Sequence, residues 1–220
     1  MEQDRYYKDN YEQILNTGAV GVVANMIHRL LEKRITGEYQ TVLELGAGHG
    51  QHLKFVRHGY ATYHETDFRP SNLPSRAQES NQGRFIQGFA DAEDLNSISD
   101  NSIDRVITTC LIVHLTQPEK ALEEWRRVTK NNGLITIQVA CEPGALLRFL
   151  RGVTTVRKAA KLGENHLRFH YREHINFFSR INMLIEDVYS NDQIVRKFWP
   201  FRLKSWNANL IVVYQIKVIK

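Results

Sequence analysis

Three glycines spaced two residues apart, Gly46, Gly48 and Gly50, directly follow a short apolar run at residues 42–45. Glycine lets the backbone approach a ligand closely and adopt conformations that other residues avoid. Residues 52–56 then have the apolar pattern of a helix beginning, and the free N–H groups at a helix start favour anionic or polar ligand groups. The sequence therefore predicts a ligand-binding loop between a buried strand and a helix.

The spacing of this loop is G-x-G-x-G, with Glu44 two residues before the first glycine. The pyrophosphate loop of dinucleotide enzymes has the spacing G-x-G-x-x-G instead, which disfavours a nicotinamide oxidoreductase. The loop resembles the nucleotide-binding loop of class I S-adenosylmethionine-dependent methyltransferases. This resemblance implies that S-adenosylmethionine is the cofactor and that these loop residues bind it: Glu44, Gly46, Ala47, Gly48, His49 and Gly50.

Acidic residues follow the next two predicted strands. Asp67 is followed by Phe68, in the family's pattern of an acid that binds the ribose hydroxyls and an apolar residue that lies against the adenine. Asp91 and Ala92 resemble the acid–small pair that contacts the adenine edge in that family. Glu65 is an alternative for the ribose, and Asp91 could instead cap a helix.

The fourth predicted strand ends near Thr109 and Cys110, and His114 follows. This stretch resembles the family segment whose backbone lines the methionine arm of the cofactor and whose histidine borders the substrate. Residues 40–140 are thus similar, in the order and spacing of their motifs, to methyltransferases of type 11/12 that act on small molecules or glycans.

Histidines are the candidates for a general base, because the imidazole titrates near neutral pH and a hydroxyl acceptor must lose a proton. His114 is one candidate. His174 is the other, since Glu173-His174-x-x-Phe177-Phe178 resembles sequences of methyltransferases in sugar and cell-surface glycan pathways. The spacing of four between histidines 166, 170 and 174 also fits a helix surface. Catalysis by positioning alone, by Tyr171 or by a carboxylate stays open.

Positive charge is concentrated in one segment. The chain has 29 basic and 24 acidic residues, and residues 142–172 hold seven basic and two acidic ones, which equals the whole net charge of +5. Such a patch suggests an anionic substrate or partner, although a solvated helix face gives the same pattern. We expect the substrate to contact this segment and an N-terminal helical lid of the kind that the family often has, through Arg148, Arg168, Tyr171, Arg172, Tyr7 and Tyr11.

Apolar periodicity predicts strands alternating with helices, which calls for a parallel sheet covered on both faces. One helix is predicted at 19–33, a second begins after a capping box at Thr116, and a third lies at 180–188. The predicted strands lie at 41–45, 61–66, 84–87, 103–108, 134–139, 194–199 and 209–219. The fold class is therefore α/β: a doubly wound, Rossmann-like, mostly parallel seven-stranded sheet with an antiparallel edge strand. We expect a single domain over 1–220, with an N-terminal helical lid at 1–35 and a basic cap insertion at 142–175.

Composition narrows the setting. With 42% hydrophobic and 24% charged residues the chain has the balance of a globular protein, and it holds neither an apolar run of membrane-spanning length nor a signal-peptide core. We therefore expect a cytoplasmic protein in which Cys110 and Cys141 are free thiols. No cysteine or carboxylate–histidine spacing predicts a metal site. The sequence does not define an oligomeric state.

These features favour an S-adenosylmethionine-dependent O-methyltransferase for a small or glycan-like acceptor, phosphorylated or otherwise anionic. One alternative is an RNA methyltransferase, although the modest net charge and the lack of an appended RNA-binding module argue against a nucleic-acid partner. A second alternative is a subunit that binds the cofactor without catalysis and supports a partner.

Overall fold

The computed structural model describes residues 14–15, 17–70, 73–75, 79–80 and 83–220. Tyr7 and Tyr11 lie outside the described residues. Within these ranges the α-helices are α1 Gly18–Leu31, α2 Pro118–Val128, α3 Ala145–Arg151, α4 Arg157–Lys161, α5 His166–Glu173 and α6 Phe178–Val188. A short π-helix at Gly152–Val156 joins α3 to α4, and 3-10 turns lie at Leu53–Phe55, Ile112–His114 and Trp206–Ala208.

One sheet contains all the strands of the described residues. They are β1 Glu38–Leu45, β2 Gly59–Asp67, β3 Glu79–Ser80, β4 Gly83–Phe89, β5 Ile103–Thr109, β6 Thr129–Ala140, β7 Gln193–Trp199 and β8 Ile211–Lys217. Their order is β3-β4-β2-β1-β5-β6-β8-β7. The five neighbouring strands β4, β2, β1, β5 and β6 are parallel, while β8 is antiparallel to β6 and to β7. The predicted seven strands and antiparallel edge are confirmed, and the two-residue β3 is an addition.

The apolar runs form strands because helices cover both faces of the sheet. On one face, α2 and α6 bury Trp125 and Ile181 against the sheet. On the other face, α1 buries Leu31 beside Val42 of β1, and α3 packs there through Leu147. The central strands are therefore buried from two sides, as parallel strands require.

The helix expected at residues 52–56 is wrong, because a single 3-10 turn at Leu53–Phe55 stands there. Only residues 46–58 connect the parallel strands β1 and β2, close to the shortest length for such a crossover. His52 is also buried and bonds to Glu32 near the end of α1, which draws this connection down onto the sheet. The residues that follow the glycine loop therefore form no α-helix whose dipole points at it.

The capping box expected at Thr116 is replaced by a longer-range cap. Helix α2 has no side-chain cap of its own, and the Thr116 hydroxyl donates to the Glu93 carboxylate at 2.9 Å. The Gln117 N–H donates to the same carboxylate at 2.8 Å. A side chain from the loop after β4 thus satisfies the first turn of α2.

No helix among the described residues combines the length and the apolar character that a membrane crossing demands.

A buried ionic network fixes the short connection between β1 and β2. The Arg105 guanidinium on β5 donates to both Glu32 oxygens, at 2.6 and 2.9 Å, and His52 lies 2.9 Å from the same carboxylate. Burial alone would raise the pKa of Glu32, but hydrogen bonds from His52 and Arg105 outweigh it and lower the pKa to about 2. The carboxylate therefore holds α1, β5 and the connection together as an ion.

We expect Glu32→Gln to lower the free energy of unfolding by about 3–5 kcal/mol, because it leaves Arg105 buried without its counter-ion. Urea unfolding at pH 7 measures this. Glu186→Gln is the control, since Glu186 and Arg196 form a half-exposed pair at 2.7 Å that should contribute at most about 1 kcal/mol. Equal losses in the two variants would contradict the importance of the buried network.

Candidate active site

The glycine loop lies at the carboxyl end of β1, between β2 and β5. At this point the strand order of the sheet reverses direction, and in an open α/β sheet such a topological switch point is where ligands bind. Gly46, Gly48 and Gly50 have φ values of 68°, 54° and 63°, a region that side chains rarely adopt. A Cβ on Gly46 would also lie 2.7 Å from Cδ1 of Leu111, whereas the space beside Gly48 is open for 4 Å. The loop therefore has both the backbone shape and the free surface of a ligand cradle.

Asp67 holds this cradle from the end of β2. Its carboxylate accepts from the Gly48 N–H at 2.9 Å and from the Arg69 N–H at 2.7 Å. Glu65, the alternative for the ribose, is fully buried and accepts from the Gln87 amide at 2.7 Å. The geometry favours Asp67, because its carboxylate lies at the loop and Glu65 lies inside the sheet.

Glu44 lies beneath the loop. Its side chain is buried in the sheet, and Oε2 accepts from the Tyr63 hydroxyl at 2.6 Å. Ala47 is buried and its N–H donates to the Thr66 carbonyl, while His49 is half-buried on the loop.

The residues expected around the adenine follow β2 and β4, which are neighbours in the sheet. Phe68 and Phe89 are each 63% exposed, and their ring centroids are 5.6 Å apart. Asp91 accepts from the Glu93 N–H at 2.9 Å and so closes a turn rather than a helix, and Ala92 is buried. These side chains form an open apolar and acidic rim at the edge of the site.

On the other side of the switch point, Thr109 ends β5 and Cys110 has a φ of 53°. The Cys110 thiol donates to Oε1 of Gln138 at 3.0 Å. Gln138 is buried on β6, and its Nε2 has no hydrogen-bond partner among the described residues. This amide is a donor available to a ligand.

Both Cys110 and Gln138 line a cavity of about 460 Å³ at the carboxyl ends of β5 and β6. Most of its wall is apolar and comes from α1 and from the predicted cap insertion, hereafter the cap segment (residues 142–175): Val20, Val23, Ile27, Leu147, Leu150 and Phe169. Polar residues gather at one end, where Glu142, Arg151, His170, His174 and His114 contribute to the lining. The cavity is an apolar chamber with one ionic end.

Glu142 is the centre of that ionic end. Oε2 lies 2.9 Å from Nδ1 of His174 and 3.1 Å from Nε2 of His170, and Oε1 accepts from the Arg151 guanidinium. Burial would raise the pKa of Glu142, but hydrogen bonds from both histidines and the charge of Arg151 hold it well below its usual range. Glu142 is therefore a carboxylate, which only accepts, so Nδ1 of His174 is the donor in their contact.

One group of metal-ligand type exists among the described residues, although the sequence spacing predicted none. The donor atoms of Glu142, His170 and His174 all lie within 4.8 Å of one another. The Arg151 guanidinium contacts Glu142 and lies 2.6 Å from Nε2 of His170. A protein cation thus already neutralises the carboxylate, and we describe the group as an ionic network.

His114 lies on the cavity wall beside His174, with ring centroids 4.7 Å apart. Its Nδ1 is 3.1 Å from the Glu173 carbonyl. Burial, followed by the neighbouring charge of His174, lowers the pKa of His114 to about 4. The two candidate bases are therefore neighbours, and of the two it is His174 that contacts a carboxylate, whereas His114 contacts a backbone carbonyl.

The basic residues expected at the substrate are placed elsewhere. Arg148, Arg168, Tyr171 and Arg172 are exposed and do not line the cavity. Arg151 is the one basic residue of residues 142–172 that does. The reason is helical spacing: the positions facing the cavity are Leu147, Leu150, Arg151 and Thr154, which follow the pattern i, i+3, i+4 and i+7, and Arg148 at i+1 lies outside that pattern.

Gln138 and Glu142 were not predicted from the sequence. Both lie at or just beyond the end of the strand predicted at 134–139, so the rule that favours strand ends could have found them. No sequence signal connects Glu142 with histidines some thirty residues later, because that contact depends on how the cap segment folds back.

Comparisons with known proteins find similarity to methyltransferases in part of the sequence and in the fold. Residues 43–137 match the family described as "Methyltransferase domain". No curated protein matches the chain.

Solved structures share the fold at low identity. A chain of the complex between the Haloferax volcanii Trm112 methyltransferase activator and the putative methyltransferase is 16% identical, with coverage of 100% of this chain and 98% of that chain and a TM-score of 0.63. The CurJ carbon methyltransferase is 13% identical over 100% and 62%, with a TM-score of 0.65. A possible histamine N-methyltransferase from Thermotoga maritima is 16% identical over 99% of each chain, with a TM-score of 0.57.

The strand order and the loop at its switch point define a doubly wound, Rossmann-like domain. Residues 43–137, which hold that loop and the following strands, are similar to a methyltransferase domain. The fold is shared with S-adenosylmethionine-dependent methyltransferases, which supports S-adenosylmethionine as the cofactor.

We expect the free energy of unfolding to fall as the pH drops from about 6.5 towards 4. Burial, followed by the charge of His170, lowers the pKa of His166 to about 4, whereas an unfolded histidine titrates near 6.5. In that window the unfolded chain binds more protons, so acid favours unfolding. Urea unfolding at several pH values measures the slope.

His166→Asn should reduce this slope by up to about 1.4 kcal/mol per pH unit between pH 6 and 4.5, the effect of one proton. The slope above pH 7.5 should be the same in both proteins. An unchanged slope at acidic pH would show that His166 titrates normally in the folded state.

Proposed function

We propose that the protein is an O-methyltransferase for a small acceptor that binds in the cavity beside Glu142 and His174, with His174 as the general base. The observation that carries this is the hydrogen bond between Nδ1 of His174 and the Glu142 carboxylate on the wall of that cavity. This pairing orients the imidazole and leaves Nε2 as proton acceptor, the arrangement that activates hydroxyl groups in enzymes.

The loop residues fit the cofactor. The open space beside Gly48, the crowding at Gly46 and the carboxylate of Asp67 at the loop together match a nucleoside group with ribose hydroxyls. We assign Asp67 to the ribose and Phe68 with Asp91 to the adenine. The backbone at Thr109 and Cys110 lies across the switch point and is assigned to the amino-acid arm.

When bound, S-adenosylmethionine supplies an electrophilic methyl group whose transfer forms the O–CH3 bond and breaks the S–CH3 bond. The protein's own task is to position the acceptor oxygen and to take its proton. Nε2 of His174 accepts that proton, and Glu142 stabilises the resulting imidazolium. Positioning inside the cavity supplies much of the remaining acceleration, on the order of 7–11 kcal/mol for well-aligned reactants.

The lining favours an acceptor with a substantial apolar part. Apolar side chains form most of the wall, Arg151 is already paired with Glu142, and the other arginines of the segment are outside. Free charges in such a chamber would lose hydration without compensation. An anionic group on the acceptor would therefore remain near the exposed arginines, with the hydroxyl at the ionic end.

The neighbours of similar fold do not select the acceptor atom. One is named for carbon methylation and another for possible nitrogen methylation, and their identity to this chain is at most 16%. The proposal therefore depends on the cavity and the histidine–carboxylate pair.

The direct test is transfer of a labelled methyl group from S-adenosylmethionine into fractions of the host cell extract. We expect label in a small, organic-soluble product that withstands alkali, as a methyl ether does. Label only in RNA would contradict the proposal, and so would the absence of transfer to every fraction while S-adenosylhomocysteine still binds.

Asp67→Asn should weaken the binding of S-adenosylhomocysteine by about 1.5–3 kcal/mol, or roughly 10- to 150-fold, because hydrogen bonds to a charged group are lost. Isothermal titration calorimetry measures the affinity. Glu65→Gln is the matched control, and its affinity should stay within about threefold of the wild type. The reverse pattern would assign the ribose to Glu65.

His174→Ala should lower kcat by about 10²–10⁴-fold, the usual contribution of a positioned base, with S-adenosylhomocysteine affinity preserved. Glu142→Gln should lower kcat less and shift the acidic limb of its pH profile to lower pH, because the imidazolium loses its counter-ion. His114→Ala is the comparison variant. A loss in His114→Ala with normal kcat in His174→Ala would exchange the two roles.

A further inference from the structure

The helices of the cap segment carry two different faces. On α3 and the following π-helix, Leu147, Leu150, Arg151 and Thr154 face the cavity, and on α5 the same spacing places His166, Phe169, His170 and Glu173 there. Residues at i, i+3, i+4 and i+7 form one side of a helix. The side that faces the cavity is therefore defined, and so is the outward side.

The outward side is basic. Arg148 on α3, Arg157 and Lys161 on α4, and Arg168 and Arg172 on α5 are all exposed. The contact between Arg151 and His170, at 2.6 Å, shows that α3 and α5 lie next to each other. The exposed arginines of α3 and α5 therefore lie on neighbouring helices.

Large apolar side chains are interleaved with these charges. Phe149 is 66% exposed and Tyr171 is 55% exposed, and each follows or precedes an exposed arginine directly in sequence. Leu167 is also exposed beside Arg168. A helical face that combines arginines with aromatic and aliphatic side chains is typical of segments that lie on an anionic membrane surface.

We propose that this outward face, the Arg148–Phe149 and Arg168–Tyr171–Arg172 surface, docks the protein peripherally on an anionic lipid bilayer. The charge complementarity is strong, because residues 142–172 carry as much net charge as the whole chain. The other sides of the same helices form the apolar wall of the cavity, so a lipophilic acceptor would enter directly from the bilayer. That last step rests on the proposed function, whereas the docking does not.

A membrane fits this surface better than RNA does. An RNA footprint also uses arginines and exposed aromatics. However, the chamber behind these helices is apolar and Arg148, Arg168 and Arg172 lie outside it, whereas a nucleotide would carry its phosphate charge into or across it. An apolar chamber and a basic outer face both suit an acceptor that resides in an anionic membrane.

The test is sedimentation of the full chain with vesicles of phosphatidylcholine alone and of phosphatidylcholine with about one third phosphatidylglycerol. We expect binding to the anionic vesicles, with a steep loss at high salt. Arg148→Gln with Arg172→Gln should reduce the partition coefficient at least about tenfold, from the loss of two charges near the surface. Phe149→Ala should reduce it severalfold at every salt concentration.

The charge-matched control is Arg84→Gln with Lys120→Gln, which neutralises two exposed cations on other elements. Its binding to vesicles should equal that of the wild type, and all variants should bind S-adenosylhomocysteine normally. The proposal is overturned by an absence of binding, by equal losses in the control, or by binding of single-stranded RNA through these residues without binding to vesicles. The vesicle assay measures binding and requires no methyl transfer. Its result therefore does not depend on whether an acceptor is found.

Discussion

The site depends on one buried carboxylate that cannot exist without its partners. Glu142 follows β6 directly and is almost completely buried, where an ion without compensation would be very unfavourable. Its partners come from α3, from α5 and from the residue after α5, so satisfying one charge requires the cap segment to fold back over the sheet. The cavity is the space that this fold-back encloses, and its ionic end is a consequence of the same requirement.

A second constraint acts at the cofactor side. Because the connection from β1 to β2 is short and lacks an α-helix, the glycine loop has no helix beneath it to fix its position. Glu32, His52 and Arg105 provide the fixation through buried ionic hydrogen bonds, and Asp67 holds the loop from above through the Gly48 N–H. The two sides of the active site are thus stabilised by carboxylates that stay ionised inside the protein.

The sequence was sufficient for the sheet, because a strand buried on both faces leaves a plain apolar run, as residues 42–45 do. It was insufficient at residues 52–56, where the apolar pattern predicts a helix but the short crossover leaves room only for a 3-10 turn. It was also insufficient for Glu142, because a local pattern does not reveal a contact with His170 and His174. The motif around His174 has a structural part too: Asn176 is fully buried and donates to the carbonyls of Ile112 and Leu115, which fixes the turn that carries His114.

The basic residues show why a charge count does not locate a site. Composition placed the net charge in the right segment, but helix geometry divides that segment into a face toward the cavity and a face toward the outside. Arg151 belongs to the first face and is neutralised by Glu142, whereas Arg148, three residues earlier, belongs to the second and has no such partner in the cavity. An arginine at either position looks the same in the sequence. Inside the chamber it pairs with a buried carboxylate, and outside it adds to the exposed basic surface.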